Sequence, residues 1–297
     1  DLASVVAPGA RVTDLALALQ SEGLDVETRS GPISGSVTAG AVSLDNQTVA
    51  PLVAGTVRAE FVASLTPDAV TITQGTLTSD AVSGRLSGSV SLAGGGIALD
   101  LAADVASAAL PAAARPALGE RVALSAKVAR SEAGAVSVED IDVSSGPLAA
   151  KGQATLDAGT IKAAIEGTLG NVAPLTGQAS GAIAFSASAS GNLAAPDLDV
   201  AVTSKRLTVA DRVIEDLAFN ATGKADLAKP EANVTLRGTV SGEALNGRAV
   251  VATTDSSRAL RDLELSLGKN RISGSLALDE NFVPSGSIDI DVPDIGP

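Results

Sequence analysis

The sequence predicts an all-β protein, and two observations lead to that fold class. Apolar and polar residues alternate with a period of two along most of the chain, as in strands with one solvated face. Short segments containing Gly, Asn, Asp and Ser separate these stretches and provide the residues that tight turns prefer. The pattern gives about twenty strands of roughly five to eight residues. Because buried parallel strands are apolar throughout, the alternation predicts a mostly antiparallel sheet.

The alternating stretches extend from the first strands to the last. In each of them, the apolar side chains are predicted to face one side of the sheet and the Asp, Ser, Thr, Lys and Arg side chains the other. The residues predicted to form this apolar face are Ile97, Leu99, Leu101, Ile183, Phe185, Leu198, Val200, Val202, Leu217, Phe219, Val234, Leu236, Leu263, Leu265, Leu267, Leu276, Leu278, Ile288 and Ile290.

Four segments between the strands are predicted to be hairpin turns. Gly and Asn tolerate the positive φ angles that tight turns need, and these residues are found at positions 93–96, 157–159, 245–247 and 279–281.

Two segments interrupt the alternation. Residues 107–118 are rich in Ala and contain two prolines, and we expect a short helical insertion there. Residues 171–177 form a second, shorter connector. We therefore expect one elongated array of strands over residues 1–297, with a soft internal boundary near 170–178.

The composition excludes several kinds of active site. The chain has no His and no Cys, which removes the Ser-His-Asp triad, thiol nucleophiles, thiolate zinc sites and disulfides. Its formal net charge of −13 argues against nucleic acid or an anionic lipid surface as an electrostatic partner. We therefore expect no enzymatic activity, no bound metal and no cofactor.

Three local patterns could suggest chemistry. The carboxylates of Asp197 and Asp199, and those of Asp289 and Asp291, are two residues apart and point the same way, as paired carboxylates or calcium ligands do. Both pairs alternate with apolar residues, so a solvated strand face is the better interpretation. The segment from Ser266 to Lys269 has the Ser-x-x-Lys spacing, but it lies at the end of a predicted strand and not at the start of a helix.

The chain begins with Asp and contains no Met, so we expect it to be a piece of a longer polypeptide. No run of 18 or more apolar residues and no signal-peptide pattern is present. Any export signal or membrane anchor is therefore expected outside this sequence.

A sheet with one apolar face has to cover that face, and three arrangements do so: a two-sheet sandwich, a closed barrel, or one long sheet curled into an open groove. The aromatic content is only 1%, and Leu, Val, Ile and Ala leave space that aromatic rings would fill. This favours the elongated, curled, open groove, although alternation alone leaves all three open.

An open apolar groove suits acyl chains as its ligand. Exposing an acyl chain to water costs about 0.8 kcal/mol per CH₂, or on the order of 12 kcal/mol for a 16-carbon chain. An apolar surface that crosses an aqueous gap would lower this cost, with the headgroup at the open side. The predicted apolar face is then the lipid-groove lining, and phospholipid acyl chains are the expected partner.

Three segments carry a resemblance to a known family: SGPLAAKGQATLDAGTIKAAIEG from Ser145, ASASGNLAAPDLDVAVTSKRLTVADRVIEDLAFNATG from Ala187, and LGKNRISGSLALDENFVPSGSIDIDVPDIGP from Leu267. The segment LPAAARPALGERVALSAKV from Leu110 is similar in style. With them, the chain resembles the TamB branch of the AsmA-like bridge proteins of Gram-negative envelopes. The resemblance extends over essentially the whole chain, through degenerate motifs.

The resemblance implies a periplasmic β-groove whose parent is anchored in the inner membrane by an N-terminal helix and reaches an outer-membrane barrel partner at its C-terminal end. Members of this family are implicated in phospholipid transport towards the outer membrane and in the assembly of outer-membrane proteins. Two rival functions remain open: a chaperone-like module that pairs with unfolded outer-membrane strands, and a structural β-repeat stalk with a closed, dry core.

Overall fold

The computed structural model describes residues 2–7, 9–46, 50–112, 114–226, 230–254, 257–279 and 283–293. The described residues form 21 strands, and every pairing between them that the structure records is antiparallel. The chain divides into two compact units, residues 1–158 and residues 159–297.

The first unit is an antiparallel sheet of eleven strands. The strands are β1 (Leu2–Ala7), β2 (Ala10–Gln20), β3 (Gly31–Ala39), β4 (Ala41–Leu44), β5 (Val57–Leu65), β6 (Ala69–Thr78), β7 (Val82–Ser91), β8 (Ile97–Ala106), β9 (Arg121–Arg130), β10 (Val136–Ser145) and β11 (Leu148–Asp157). Strand β2 pairs with β1 on one side and with β3 and β4 on the other, and from β5 onwards each strand pairs with the next.

The second unit is also an antiparallel meander. Its strands are β12 (Thr160–Leu169), β13 (Ala179–Ser180), β14 (Ile183–Asn192), β15 (Asp197–Val209), β16 (Arg212–Lys224), β17 (Glu231–Val240), β18 (Glu243–Thr254), β19 (Ser257–Leu267), β20 (Asn270–Asp279) and β21 (Pro284–Asp291). The long strand β15 pairs with both β13 and β14, and from β15 to β21 each strand pairs with its successor.

These pairings confirm the predicted class, an all-β fold built from open antiparallel sheets. Helical structure in the described residues is confined to single turns. The expected helical insertion consists of two 3-10 turns, Ser107–Ala109 and Arg115–Ala117. A further 3-10 turn spans Ala50–Val53, and the α-helix α1 spans Ala173–Thr176. Nowhere in the described parts of the chain is there a helix with the length and apolar character needed to span a membrane.

The division between the units lies between Ala158 and Gly159, ahead of the predicted boundary near 170–178. Residues 170–178 are instead tied to their neighbours within the second unit. The side-chain oxygen of Asn171 accepts hydrogen bonds from the backbone N–H groups of Ala173 and Gly181, and the N–H of Val172 donates to the carbonyl of Gly181.

The predicted turns have three different outcomes. The turns at 93–96 and 157–159 are present. The prediction at 245–247 is wrong, because Asn246 and Gly247 lie inside β18 and pair with Arg237 and Leu236 of β17. The chain turns instead at Ser241 and Gly242, whose φ angles are 53° and 84°. The prediction at 279–281 lies mostly outside the described residues.

Among the strand pairings that the structure describes, four strands contain a β-bulge that the alternation did not reveal. The pairing register shifts by one residue in β6, β10, β16 and β19. In three of them an aspartate inside the strand has a positive φ: 50° at Asp140, 46° at Asp216 and 51° at Asp262. Asp tolerates this left-handed conformation better than most residues, because its short side chain can form local hydrogen bonds. Bulges bend a strand and increase its twist, so they introduce curvature into each sheet.

One end of the strands in the first unit is covered. Most of the buried residues of the first unit lie at these strand ends, among them Ala81, Val105, Ala109, Ala117, Val122, Ser145 and Ala150. The Ser145 hydroxyl donates to the Arg121 carbonyl at 2.7 Å and accepts from the Gly119 N–H at 3.0 Å, which fixes the connector between β8 and β9. We call this end of the strands the closed end of the first unit and the opposite end its open end.

The second unit has an equivalent closed end. There the buried residues are Leu169, Val172, Ser204, Leu207 and Leu217. The Ser204 hydroxyl donates to the Ala182 carbonyl at 2.6 Å, which fixes the connector that contains α1. In both units, therefore, a segment that interrupts the alternation covers the strand ends, and a buried serine holds it there.

The bulge at Asp216 gives a first prediction. Replacing Asp216 with Val should destabilise the protein by about 1–2 kcal/mol, because a β-branched residue adopts the left-handed conformation only with strain, whereas Asp216→Gly should be close to neutral. Urea unfolding monitored by circular dichroism measures the difference. Asp199→Val, on the regular strand β15, is the matched control and should not destabilise. Equal stability of the Asp216→Val and Asp216→Gly variants would show that the bulge geometry is wrong.

Candidate functional site

Apolar residues line up across every strand of the second unit except the two-residue strand β13. Cross-strand neighbours form one row that runs Gly167, Phe185, Val202, Phe219, Leu236, Gly247, Leu265, Ile272 and Ile290. A parallel row runs Ala163, Ala189, Leu198, Gly223, Ala232, Val251, Leu260, Leu276 and Gly286. Because paired residues on antiparallel strands point to the same side, these rows form one apolar face. We call it the apolar face of the second unit.

The predicted lining residues from Ile183 to Ile290 all lie on this face. Most of them are half-buried: Ile183, Phe185, Val200, Val202, Phe219, Val234, Leu236, Leu263, Leu265, Leu267, Leu276 and Leu278. Leu217, at the closed end, is buried with 8% of its surface exposed. Leu198 and Ile288 are more exposed, and Ile290 on the last strand is 66% exposed.

The first unit has an apolar face of the same construction. One row runs Leu17, Val37, Ala59, Leu77, Gly84, Ala103, Leu124, Val143 and Ala150 across nine strands that include β2 and β11. Another runs Leu19, Gly35, Phe61, Gly75, Leu86, Leu101 and Ala126. The predicted residues Ile97, Leu99 and Leu101 lie on this apolar face of the first unit, where Ile97 and Leu99 are half-buried and Leu101 is exposed.

Glycines alternate with large side chains along parts of both faces. A Cβ atom at Gly35 would lie 2.7 Å from Leu19 Cδ2 and 2.8 Å from Phe61 Cζ, so these two side chains lie over the glycine. At Gly247 it would lie 3.3 Å from Leu236 and Leu265 atoms. Large side chains therefore pack flat against the backbone of the neighbouring strand. They project less from the sheet than they would over a residue with a side chain.

Neither face is covered as a protein core is. Among the described residues no large side chain has less than 2% of its surface exposed. The chain exposes 18172 Å², whereas two compact domains of half its mass would together expose about 13,800 Å². A closed sandwich core would bury Phe185, Phe219 and Leu236, whereas each of them keeps part of its surface exposed, which argues against the dry-core arrangement.

The opposite faces of the sheets are polar and carry the ion pairs. Cross-strand pairs there include Lys127–Asp140 at 2.7 Å, Arg248–Glu264 at 2.6 Å and Arg261–Glu231 at 3.3 Å. All are exposed to solvent and contribute little to stability. The hydrogen bond and the charge of Lys127 hold the pKa of the Asp140 carboxyl below its usual value. A depression of about 650 Å³ on this face of β17–β21 has polar residues such as Arg248, Glu264 and Ser273 in its lining.

The residues that could have suggested chemistry lie on strands as solvated side chains. Asp199 and Asp289 are exposed, as are their partners Asp197 and Asp291. Ser266 is half-buried in β19 and faces Asn246 and Arg271 across the ladder, not a helix start. Within the described residues no three His, Cys, Asp or Glu side chains are grouped as metal ligands would be.

Alternation alone misses some apolar-face residues. Ile214 and Leu217 are three residues apart, as are Leu260 and Leu263, yet each pair faces the same side because a bulge lies between them. The available signal was a recurring local pattern, an apolar residue, any residue, Asp, then an apolar residue, found at Val138, Ile214 and Leu260.

Comparison of this chain with protein-family models, with curated proteins and with solved structures finds no match.

The difference in burial along β16 gives a second prediction. Leu217→Ala should cost about 2–5 kcal/mol, as expected for a buried leucine. Phe219→Ala, two residues further along on the same face, should cost about 1–2 kcal/mol, well below the about 3–5 kcal/mol of a buried phenylalanine. The urea unfolding midpoints of the two variants measure this order. A larger loss for Phe219→Ala would mean that the face is covered.

The pKa of Asp140 gives a third prediction. Because the folded-state pKa is depressed, the Lys127–Asp140 pair stabilises the fold above the usual carboxyl pKa, and this contribution is lost as the pH falls through the folded-state value. In Lys127→Met the pKa of Asp140 should rise towards its ordinary value, as measured by NMR titration. The same substitution should make unfolding less sensitive to acid. An unchanged pKa in Lys127→Met would remove Lys127 as the cause.

Proposed function

We propose that the apolar faces bind the acyl chains of phospholipids and allow them to move along the protein between two membranes. The observation that carries the proposal is the continuity of the apolar rows over consecutive strands, combined with the partial exposure of their side chains. An apolar surface that is continuous and uncovered lowers the free energy of an acyl chain at each position along it, without fixing the chain at one of them.

The proposal also includes the cellular compartment and the larger assembly to which the chain belongs. As in the family that the chain resembles, TamB and the AsmA-like bridge proteins, this chain is the periplasmic groove of a parent anchored in the inner membrane and joined to an outer-membrane barrel. The polar opposite face, with its exposed ion pairs, suits an aqueous compartment. Lipid chains would be held by burial of apolar surface alone, so the site would accept chains of different length.

A chaperone-like module for outer-membrane proteins is the second candidate, and one observation favours it. Strand β21 pairs with β20 and with no other strand among the described residues, and all of its residues are exposed. A free strand edge can accept another strand. This edge is confined to a single strand, whereas the apolar rows extend over both units, so acyl-chain binding remains the stronger proposal.

Photo-crosslinking in cells provides the fourth prediction. In the full-length parent protein, photoreactive residues at Phe185 and Phe219, on the apolar face, should capture phospholipid, whereas one at Asp199, on the opposite face of the same sheet, should not. Mass spectrometry of the adducts identifies the lipid. Equal capture at the two faces, or capture of outer-membrane protein at Phe185 and Phe219, would contradict lipid binding by this face.

A charged residue introduced into the apolar row distinguishes an effect on lipid conduction from an effect on folding. Val200→Asp should leave the protein folded, because the carboxylate can reach water on an open face, and should block lipid movement across that strand. In a closed core the same unpaired charge would cost several kcal/mol and unfold the protein. Circular dichroism reports folding, and lipid transfer between two vesicle populations reports conduction. A folded variant that still transfers lipid at the original rate would contradict the proposed route.

A further inference from the structure

The apolar rows of the first unit contain a single charged residue in strands β3 and β5–β11, as far as these strands are described. That residue is Arg130, the last residue of β9. Its neighbours in the row are Ile97 on β8 and Val136 on β10, both apolar. The closed end of β9 is at Val122, so Arg130 lies at the open end. A cation in this position stands where the apolar face meets water.

The guanidinium of Arg130 is held in place through one of its donors. Arg130 Nη1 donates to the Gly95 carbonyl at 3.0 Å, which fixes the side chain across the turn between β7 and β8. Arginine has five N–H donors, so most of its hydrogen-bonding capacity is left after this bond. Glu132 lies over Gly94 of the same turn, but the structure has no ion pair within 4.0 Å between Glu132 and Arg130, both of which it describes.

The second unit repeats the arrangement. Arg258 lies at the start of β19, and in the cross-strand register it faces Thr253 of β18 and Leu278 of β20. The closed end of this unit is at Leu217 and Leu169, so Arg258 is also at the open end. At the open end of the described apolar rows of this unit, no other residue is charged. In both units, therefore, one arginine lies at the open end of the described apolar rows.

We propose that Arg130 and Arg258 bind the phosphate group of a phospholipid whose acyl chain lies on the apolar face beside them. This inference rests on the proposed function and names the headgroup contact of the same site. A guanidinium recognises phosphate oxygens through two parallel N–H donors, which makes arginine the residue best suited to this contact. The phosphate is common to all phospholipids, so such a contact admits different headgroups.

The dimensions of the strand agree with this placement. From Arg130 to the buried Val122 there are eight residue steps, or about 27 Å of strand. The acyl region of one membrane leaflet is about 15 Å deep, half of the hydrocarbon core. A chain whose phosphate is bound at Arg130 therefore lies over Val128 and Ala126 and ends well before the closed end.

The net charge of the whole chain favours a local cation at a phosphate site. The charge of −13 repels anions from the protein as a whole. A cation that offsets this potential therefore favours a phosphate close to the apolar face. The two arginines supply it at the open ends, while the closed ends are covered by the connectors.

Isothermal titration calorimetry on the 297-residue chain tests the inference with two probes of equal chain length. These are dodecylphosphocholine, which carries a phosphate, and dodecyl maltoside, which is uncharged, both below their critical micelle concentrations. The double variant Arg130→Gln/Arg258→Gln should bind dodecylphosphocholine about tenfold more weakly than the original chain, since charge-assisted hydrogen bonds are lost. Its affinity for dodecyl maltoside should be unchanged.

A matched control changes the same charge elsewhere. Arg85→Gln/Arg237→Gln removes two arginines from the polar faces of the two units and should leave both affinities unchanged. Arg130→Lys/Arg258→Lys keeps the charge and should restore part of the phosphocholine affinity. This rescue separates phosphate binding from the structural hydrogen bond to Gly95, and thermal unfolding confirms that every variant is folded.

Each other result overturns the inference in a recognisable way. If the arginine variants bind both probes as the original chain does, the headgroup contact is wrong and the proposed function stands. If neither probe binds the original chain, both proposals fail. If inorganic phosphate alone binds with the same dependence on Arg130 and Arg258 and competes with neither probe, the arginines form an ion site unrelated to lipid.

Discussion

The backbone hydrogen-bond ladder is the interaction on which this protein depends. In most domains, burial of apolar side chains between two layers supplies the dominant favourable free energy. Here the described strands have no second layer over their apolar faces, and the fully protected residues are mainly small ones such as Ala63, Ala150 and Ala252, gathered largely at strand ends. Each strand is therefore held chiefly by its two neighbours. Stability then depends on continuous pairing, and the buried serines Ser145 and Ser204 protect that pairing where the connectors begin.

The same constraint explains the unusual composition. A sheet that leaves its apolar face uncovered needs side chains that are compatible with strands. These side chains should not form a large aromatic surface that would promote association. Leu, Val and Ala with interspersed glycines meet this need, and Gly35 and Gly247 let the larger neighbours lie flat on the backbone. The polar face, with its alternating charges, keeps the other side in water and discourages the sheet from stacking on itself. Under the proposed function, lipid chains cover the apolar face reversibly.

Much of this could be read from the sequence, because period-two alternation reports which side of a sheet a residue faces. Every predicted lining residue, from Ile97 to Ile290, lies on the predicted face. The bulges could not be read, because an extra polar residue such as Asp216 looks like a break in a strand until its left-handed φ is known. The glycine at 247 was misinterpreted as a turn, since a glycine that makes room for Leu236 and one that makes a tight turn are identical in a single sequence. Arg130 lies two residues beyond Val128 in the same alternation, but its place between Ile97 and Val136 is known only from the strand register.

The proposed function requires that the apolar faces are open to solvent. The phenylalanines on these faces report this access directly. Hydroxyl-radical footprinting of the native chain, read out by mass spectrometry, measures how fast Phe61, Phe185 and Phe219 are oxidised relative to the urea-unfolded chain. The open face predicts substantial oxidation of all three in the native state and strong protection when a single-chain phospholipid is added. Protection in the native state without lipid, to the degree expected of a closed core, would contradict the account.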